Sequence, residues 1–347
     1  MFIRMEVIGL FFFVFAVILL DTSVVEAGVI DVRSSDSSPG RSSTKIKRSN
    51  FTFDTGFKTG YFTYQIGGLV SSGNQVQFLH FPLSELRFPL NVETIRGSYK
   101  MELSNRWRVN FYLETNYSAY SGKMEDRDWG VKSYLVEGAV DNPESLDIFS
   151  RSNSDLSVMD YSLSLDKING NHQDPFFKLT WSSYFGFGLS IQDYDFVLTN
   201  AVQEYPSVAE LTPDFLPGKG LIYNFFQITP FFSAIFETPK KGQYQFFIDL
   251  SLSPFVHIAD FDNHLLRNKI SNGSTDGWSA KGVLSMTYRL EPKFYLFLNV
   301  STQYTRANGW QTQVNYDPQT NTRSSAKVKL KHFSLQNNIR FGGRIQL

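Results

Sequence analysis

Residues 243–253 read QYQFFIDLSLS, and their side chains alternate in character. Tyr244, Phe246, Ile248, Leu250 and Leu252 interleave with Gln243, Gln245, Phe247, Asp249, Ser251 and Ser253. Successive side chains of an extended chain point to opposite faces, so this period of two predicts a strand with one apolar and one mainly polar face. The same period runs through 107–118, where Trp107, Val109, Phe111, Leu113, Thr115 and Tyr117 interleave with polar residues. It returns in 159–165, 294–300 and 333–341. Ten strands are predicted, near 51–67, 77–102, 106–120, 155–168, 175–197, 220–238, 243–259, 277–291, 294–307 and 327–346. No stretch beyond residue 27 holds a helical period.

The links between these strands have two lengths. Short ones, such as TPKKG (238–242) and EPK (291–293), alternate with long ones at 121–154, 198–219, 260–276 and 308–326. Long loops at one rim and tight turns at the other, with an even strand count, are the habits of outer-membrane barrels. Lipid offers the backbone no hydrogen bonds, so a sheet crosses it only when closed. The expected fold is therefore all-β, a ten-stranded antiparallel transmembrane β-barrel over residues 51–347.

The first 27 residues, MFIRMEVIGLFFFVFAVILLDTSVVEA, fit a secretory signal peptide: a basic residue, a short apolar run and small residues before the cut. Residues 28–50 are Ser-rich and basic and read as a flexible leader. The chain has 33 basic and 33 acidic residues; removing 1–27 takes one base and three acids, which leaves 32 against 30. A near-neutral protein is not built for a polyanion, so no nucleic-acid partner is expected. There is no cysteine, which excludes a disulfide-stapled domain and a thiol enzyme. Neither G-x-S-x-G nor H-E-x-x-H occurs.

Two acidic clusters remain. MEDRDWG (124–130) carries Asp126 and Asp128, and ADFDNH (259–264) carries Asp260, Asp262 and His264. They follow the third and seventh predicted strands, so both lie at the long-loop rim, where they are solvated loops or meet across the mouth. Residues i and i+2 of an extended segment share a face, so each cluster projects together.

These segments resemble the active-site segments of the omptins, ten-stranded outer-membrane endopeptidases of Gram-negative bacteria. Omptins carry Asp-x-Asp-Trp after the third strand and Asp-x-His after the seventh. SELRFPL (84–90) and NGWQTQVNYDPQTNT (308–322) extend the likeness along the chain. The resemblance implies attack by a water held between two pairs: His264 as general base, Asp262 orienting it, and Asp126 with Asp128 sharing a proton. It implies polypeptide substrates cut near basic residues, with Asp260 as the substrate-binding acid, and neither metal nor cofactor. It also implies an outer-membrane location with the site outside, contact with outer-membrane lipid, and lipopolysaccharide as activator; the oligomeric state stays open.

The chain departs from the family at two places. A second pocket acid belongs in the first strand, which here reads YFTYQIG (61–67), with Thr63 taken as the vacant position. The stretch compared with the lipopolysaccharide-binding face, IQDYDFV (191–197), is acidic where a base is expected. The alternative reading is a non-catalytic barrel, an adhesin or structural protein on the same scaffold.

Overall fold

The computed structural model describes residues 46–72, 75–103, 106–173, 180–239, 242–318 and 321–347. The signal peptide and all but the last five residues of the expected leader lie outside them. Thirteen strands follow one another: β1 (Ile46–Ser72), β2 (Gln75–Phe78), β3 (Ser84–Pro89), β4 (Val92–Leu103), β5 (Trp107–Asn116), β6 (Tyr120–Trp129), β7 (Leu146–Gln173), β8 (Thr180–Glu204), β9 (Asp214–Glu237), β10 (Tyr244–His264), β11 (Lys269–Arg289), β12 (Phe294–Asp317) and β13 (Thr322–Gln346). All pairings are antiparallel, and β13 pairs back onto β1 from Asn50↔Gln346 to Ser71↔Lys327. The ring is closed. The barrel starts at Ile46, five residues before the expected boundary.

Thirteen strands make ten staves. β1 pairs β4 along its first half and β3 along its second, so β3 and β4 form one stave broken at Leu90–Asn91. β7 likewise pairs β5 and then β6, which form another. β2 adds a short hairpin to β1 alone.

The lower half wears its apolar side chains outside. Phe53, Phe57, Phe185, Phe187, Leu250, Leu252, Leu284, Leu298, Val300, Ile339 and Phe341 are all exposed. Tyr244 with Tyr288 marks one margin of this belt and Trp278 with Tyr304 the other. The span of β12 from Phe294 to Tyr304, at ~3.3 Å per residue and ~45° of tilt, matches the ~25 Å apolar height of such barrels. Just beyond the upper margin the outward positions turn charged, with Asp276, Arg306 and Lys331.

Inside the belt the lumen is polar and ionic. Lys58 on β1 reaches Asp160, lies 3.3 Å from Glu114 and donates to the Tyr194 hydroxyl at 2.9 Å. Arg340 on β13 joins Glu114 to Asp54, the latter at 3.0 Å. Arg108 bridges Asp166 and Glu237 at 3.0 and 2.7 Å. Below the Lys58 and Arg340 cluster lies a cavity of about 280 Å³ lined by all ten staves.

Above the belt the faces exchange. Phe62, Tyr64, Phe88, Tyr194, Phe196, Tyr223, Phe225, Val256, Ile258 and Leu330 turn inward and pack as an aromatic core. Phe88 stacks on Tyr223 at 4.6 Å between centroids, and Phe62 meets Phe225 at 4.5 Å. On β10 the exchange has a visible device. Pro254 and Phe255 are consecutive exposed residues, and the register with both neighbours slips by one residue there. Pro254 has no N–H to give to a ladder, which suits a bulge. Odd residues face inward before the bulge (Gln245, Ser253) and even ones after it (Val256, Ile258, Asp260, Asp262).

Candidate active site

Both acidic clusters stand on strands, not in the loops expected from the sequence. Asp126 and Asp128 belong to β6, and Asp260, Asp262 and His264 to the end of β10. These staves run on well past the lipid belt because their outer ladders stay paired in water. On β6 the burial alternates, with Met124, Asp126 and Asp128 inward and Glu125 and Arg127 outward. Arg127 ties the outer face together by pairing with Glu85 at 2.9 Å and Glu125 at 2.6 Å. On β10 the bulge sets the parity that turns Asp260, Asp262 and His264 inward.

His264 Nε2 lies 3.0 Å from Asp262 Oδ2, with Asp262 wholly covered and His264 12% exposed by side chain. Burial holds the imidazole below its ordinary pKa, against the pull of Asp262. At neutral pH the ring is therefore unprotonated and able to take a proton. Asp126 is pushed up to about 8, first by burial and next by Asp128, so it keeps its proton at pH 7. Two near carboxylates cannot both ionise at low cost, and here Asp126 holds the proton.

The two clusters share one mouth. Arg267, on the turn after His264, brings Nη2 to 3.7 Å from Asp128 Oδ2 on β6. Lys269 is the register partner of His264 and feels Asp262, Asp126 and Asp128, while burial pulls its ammonium pKa down. Asp262 in turn contributes to the rise at Asp126. Ser150, opposite Asp126 on β7, is buried and reaches Gln203 at 3.5 Å.

Asp260 stands apart from this group. Its side chain is fully covered, and Oδ2 lies 3.3 Å from Nε2 of His332. The carboxyl lies flat across β11 in the space that Gly273 leaves: a Cβ there would sit 2.1 Å from Oδ2. Burial, then Asp262, pushes Asp260 up to about 8, and burial presses His332 down to about 3, so this second Asp–His couple is neutral. Thr275 Oγ1 meets His332 Nδ1 at 3.0 Å and Tyr223 lies at 3.4 Å from Nε2. The expected pocket acid is thus a buried side chain beneath the dyad.

Position 63 needs a correction. Thr63 sits between the inward Phe62 and Tyr64 and pairs with the outward Phe333, so it faces away from Asp260. The first-strand residue that faces the acids is Tyr64, whose hydroxyl donates to Gln311 at 2.6 Å and whose pKa is raised first by burial and then by Asp262 and Asp260. Arg267, Lys269, Tyr64 and His332 all escaped the sequence reading. His332 had a signal: it shares the even, inward parity of Leu330, Ser334 and Gln336. Among the described residues no cluster of His, Asp and Glu is arranged to hold a metal ion.

No protein-family model matches the chain, and no curated protein sequence does. Solved structures do. The outer membrane protease OmpT from Escherichia coli superposes with a TM-score of 0.64 at 14% identity, over 86% of this chain and 98% of that one. The outer membrane protein OprG from Pseudomonas aeruginosa gives 0.31 at 12% identity, over 86% and 96%. The translocator domain of the autotransporter NalP from Neisseria meningitidis gives 0.29 at 10%, over 84% and 88%. The chain has the fold of an outer-membrane β-barrel. At such identity the likeness speaks for the fold, and the chemistry has to be argued from the side chains.

Proposed function

We propose that this protein is an outer-membrane endopeptidase of a Gram-negative bacterium, with its site at the outer mouth of the barrel. One observation carries the reading: an Asp–His pair on β10 and an Asp–Asp pair on β6 turn inward at one rim, and Arg267 reaches from the first to the second. In this reading a water between the pairs is the nucleophile. His264 Nδ1 takes its proton, while Nε2 stays against Asp262, which holds the ring and offsets the charge that forms. The protonated Asp126 donates a hydrogen bond to the oxygen that becomes negative as the carbonyl is attacked. Asp128 supplies the charge that keeps this proton on Asp126.

Burial of four ionisable groups around a small opening costs stability, and such groups concentrate at catalytic sites. That favours an enzyme over the non-catalytic barrel. The test is refolded protein in detergent, with and without lipopolysaccharide, given a mixed peptide library and read by mass spectrometry. Cleavage by the wild type and none by His264→Ala supports the reading. Library peptides left intact under both conditions would turn it towards a structural or adhesive barrel.

A further inference from the structure

We infer that Lys269 is a further catalytic residue, whose ammonium meets the carbonyl oxygen of the scissile bond as that oxygen becomes negative. This rests on the endopeptidase reading and adds a charged donor to it. The last rungs of the β10–β11 ladder place the side chain. Asp260 stands opposite Gly273, Asp262 opposite Ser271, and His264 opposite Lys269. Directly opposed residues of an antiparallel pair share a face, with Cβ atoms ~4.5–5.5 Å apart. Along β11 Ser271, Gly273 and Thr275 are buried while Ile270, Asn272 and Ser274 are exposed, so the parity turns Lys269 inward. The two lower partners are small and leave room for the acids. The top one is long and flexible. Its stem starts beside the imidazole, and its head lies in the field of Asp262, Asp126 and Asp128.

The two cations of the mouth are engaged differently. Arg267 is 45% exposed by side chain and lies 3.7 Å from Asp128. Among the described residues the ammonium of Lys269 has no hydrogen-bond or ion-pair partner. Its three N–H donors are free for a substrate oxygen. The chemistry calls for such a group. Attack by water turns a neutral carbonyl into an oxyanion beside Asp128 and Asp262, whose own charge opposes it. Asp126 donates a hydrogen bond there but brings no positive charge. A free ammonium facing the same opening supplies both. The exposed guanidinium of Arg267 supplies less, because water and salt screen it.

The experiment compares the wild type with Lys269→Met, Lys269→Gln and Lys269→Arg, as full refolded proteins, on one peptide that the wild type cleaves. Methionine keeps an unbranched stem and removes the ammonium. It should lower kcat by about a hundredfold with KM within about threefold, because the contact forms only in the transition state. Lys269→Arg should recover about tenfold of that loss. A phosphinate analogue of the same peptide carries the negative oxygens of the tetrahedral state and gives a second readout. Its affinity should fall about a hundredfold in Lys269→Met. The peptide itself, held uncleaved by adding His264→Ala, should bind within about threefold with or without Lys269→Met. Cleavage by Lys269→Met within about threefold of wild type would overturn the inference and leave the endopeptidase reading standing. So would equal losses for peptide and analogue, since the ammonium would then act on the ground state. Loss of the change in gel mobility on boiling, in both Lys269→Met and Lys269→Gln, would assign the ammonium to the fold instead. If the wild type cleaves no peptide, the reading and the inference fall together.

Discussion

The lower and upper halves of this barrel are built from the same ten staves with their faces exchanged. In the lower half phenylalanine and leucine meet lipid while Lys58, Glu114, Asp160 and Arg340 fill the lumen. In the upper half Asp276, Arg306 and Lys331 meet water while Phe62, Tyr64, Tyr223 and Phe225 fill it. Each half obeys its own solvent. Lipid forbids outward charge, so the ions go inside and must pair. Water outside frees the upper lumen to become an ordinary apolar core, and such a core can bury, hold and retitrate the acids at its rim.

The sharpest way to break the comparison is to remove the rim groups. Asp126→Ala, Asp128→Ala, Asp262→Ala and His264→Ala should each lower peptide cleavage by about a thousandfold or more. Folding should survive, seen as an unchanged shift in gel mobility on boiling. Combining two of them should cost far less than the product of the single losses, because the groups act as a unit. Loss of activity in Ser150→Ala with retention in His264→Ala would sink the water mechanism.

The lower half should answer in the other currency. Lys58→Ala leaves Asp160 without its cation and Glu114 with Arg340 alone, at an expected cost of about 3–5 kcal/mol. Urea unfolding in lipid vesicles should report that loss, while kcat/KM under native conditions stays within about twofold of wild type. A large fall in activity with no fall in stability would mean the halves are not separable.

The smallest effect expected is on pH. His264 must be neutral to act as base and Asp126 protonated to act as donor. Activity should therefore rise through a pKa below 6.5 and fall, about tenfold per unit, above the value of about 8 at Asp126. Asp126→Asn should keep a donor and lose the alkaline limb. The stability sign follows from the same shift. Asp126 binds its proton more tightly when folded, so its contribution is full below the unfolded value near 3.8 and is lost as pH rises through 8. Retention of the alkaline limb in Asp126→Asn would assign it to another group.

The barrel was legible because lipid imposes a strict alternation, and 107–118 and 243–253 obey it. Its upper reach was not. Past Ser253 the extra residue at Pro254–Phe255 reverses the parity, and the apolar face moves from outside to inside. A reader following the lower rule sees the pattern dissolve and assigns loops to 121–154 and 260–276. The motifs at Asp126, Asp128, Asp262 and His264 were visible as short spacings. What surrounds them came from distant strands: His332 from β13, Tyr64 from β1, Gly273 from β11. Only register brings Tyr64 to His332, and that assignment also moves the vacant acid position from Thr63 to Tyr64.

The storeys of the lumen have an electrical consequence. A cavity of about 280 Å³ lies beneath a lattice of paired ions, and above that lattice sits a floor of packed rings. An ion moving along the axis would have to unpair Lys58 from Asp160 and then cross the rings without water. The cylinder should behave as a dielectric plug. Inserted in a planar bilayer it should give no unitary current steps, so a cell can carry many copies on its surface without leaking.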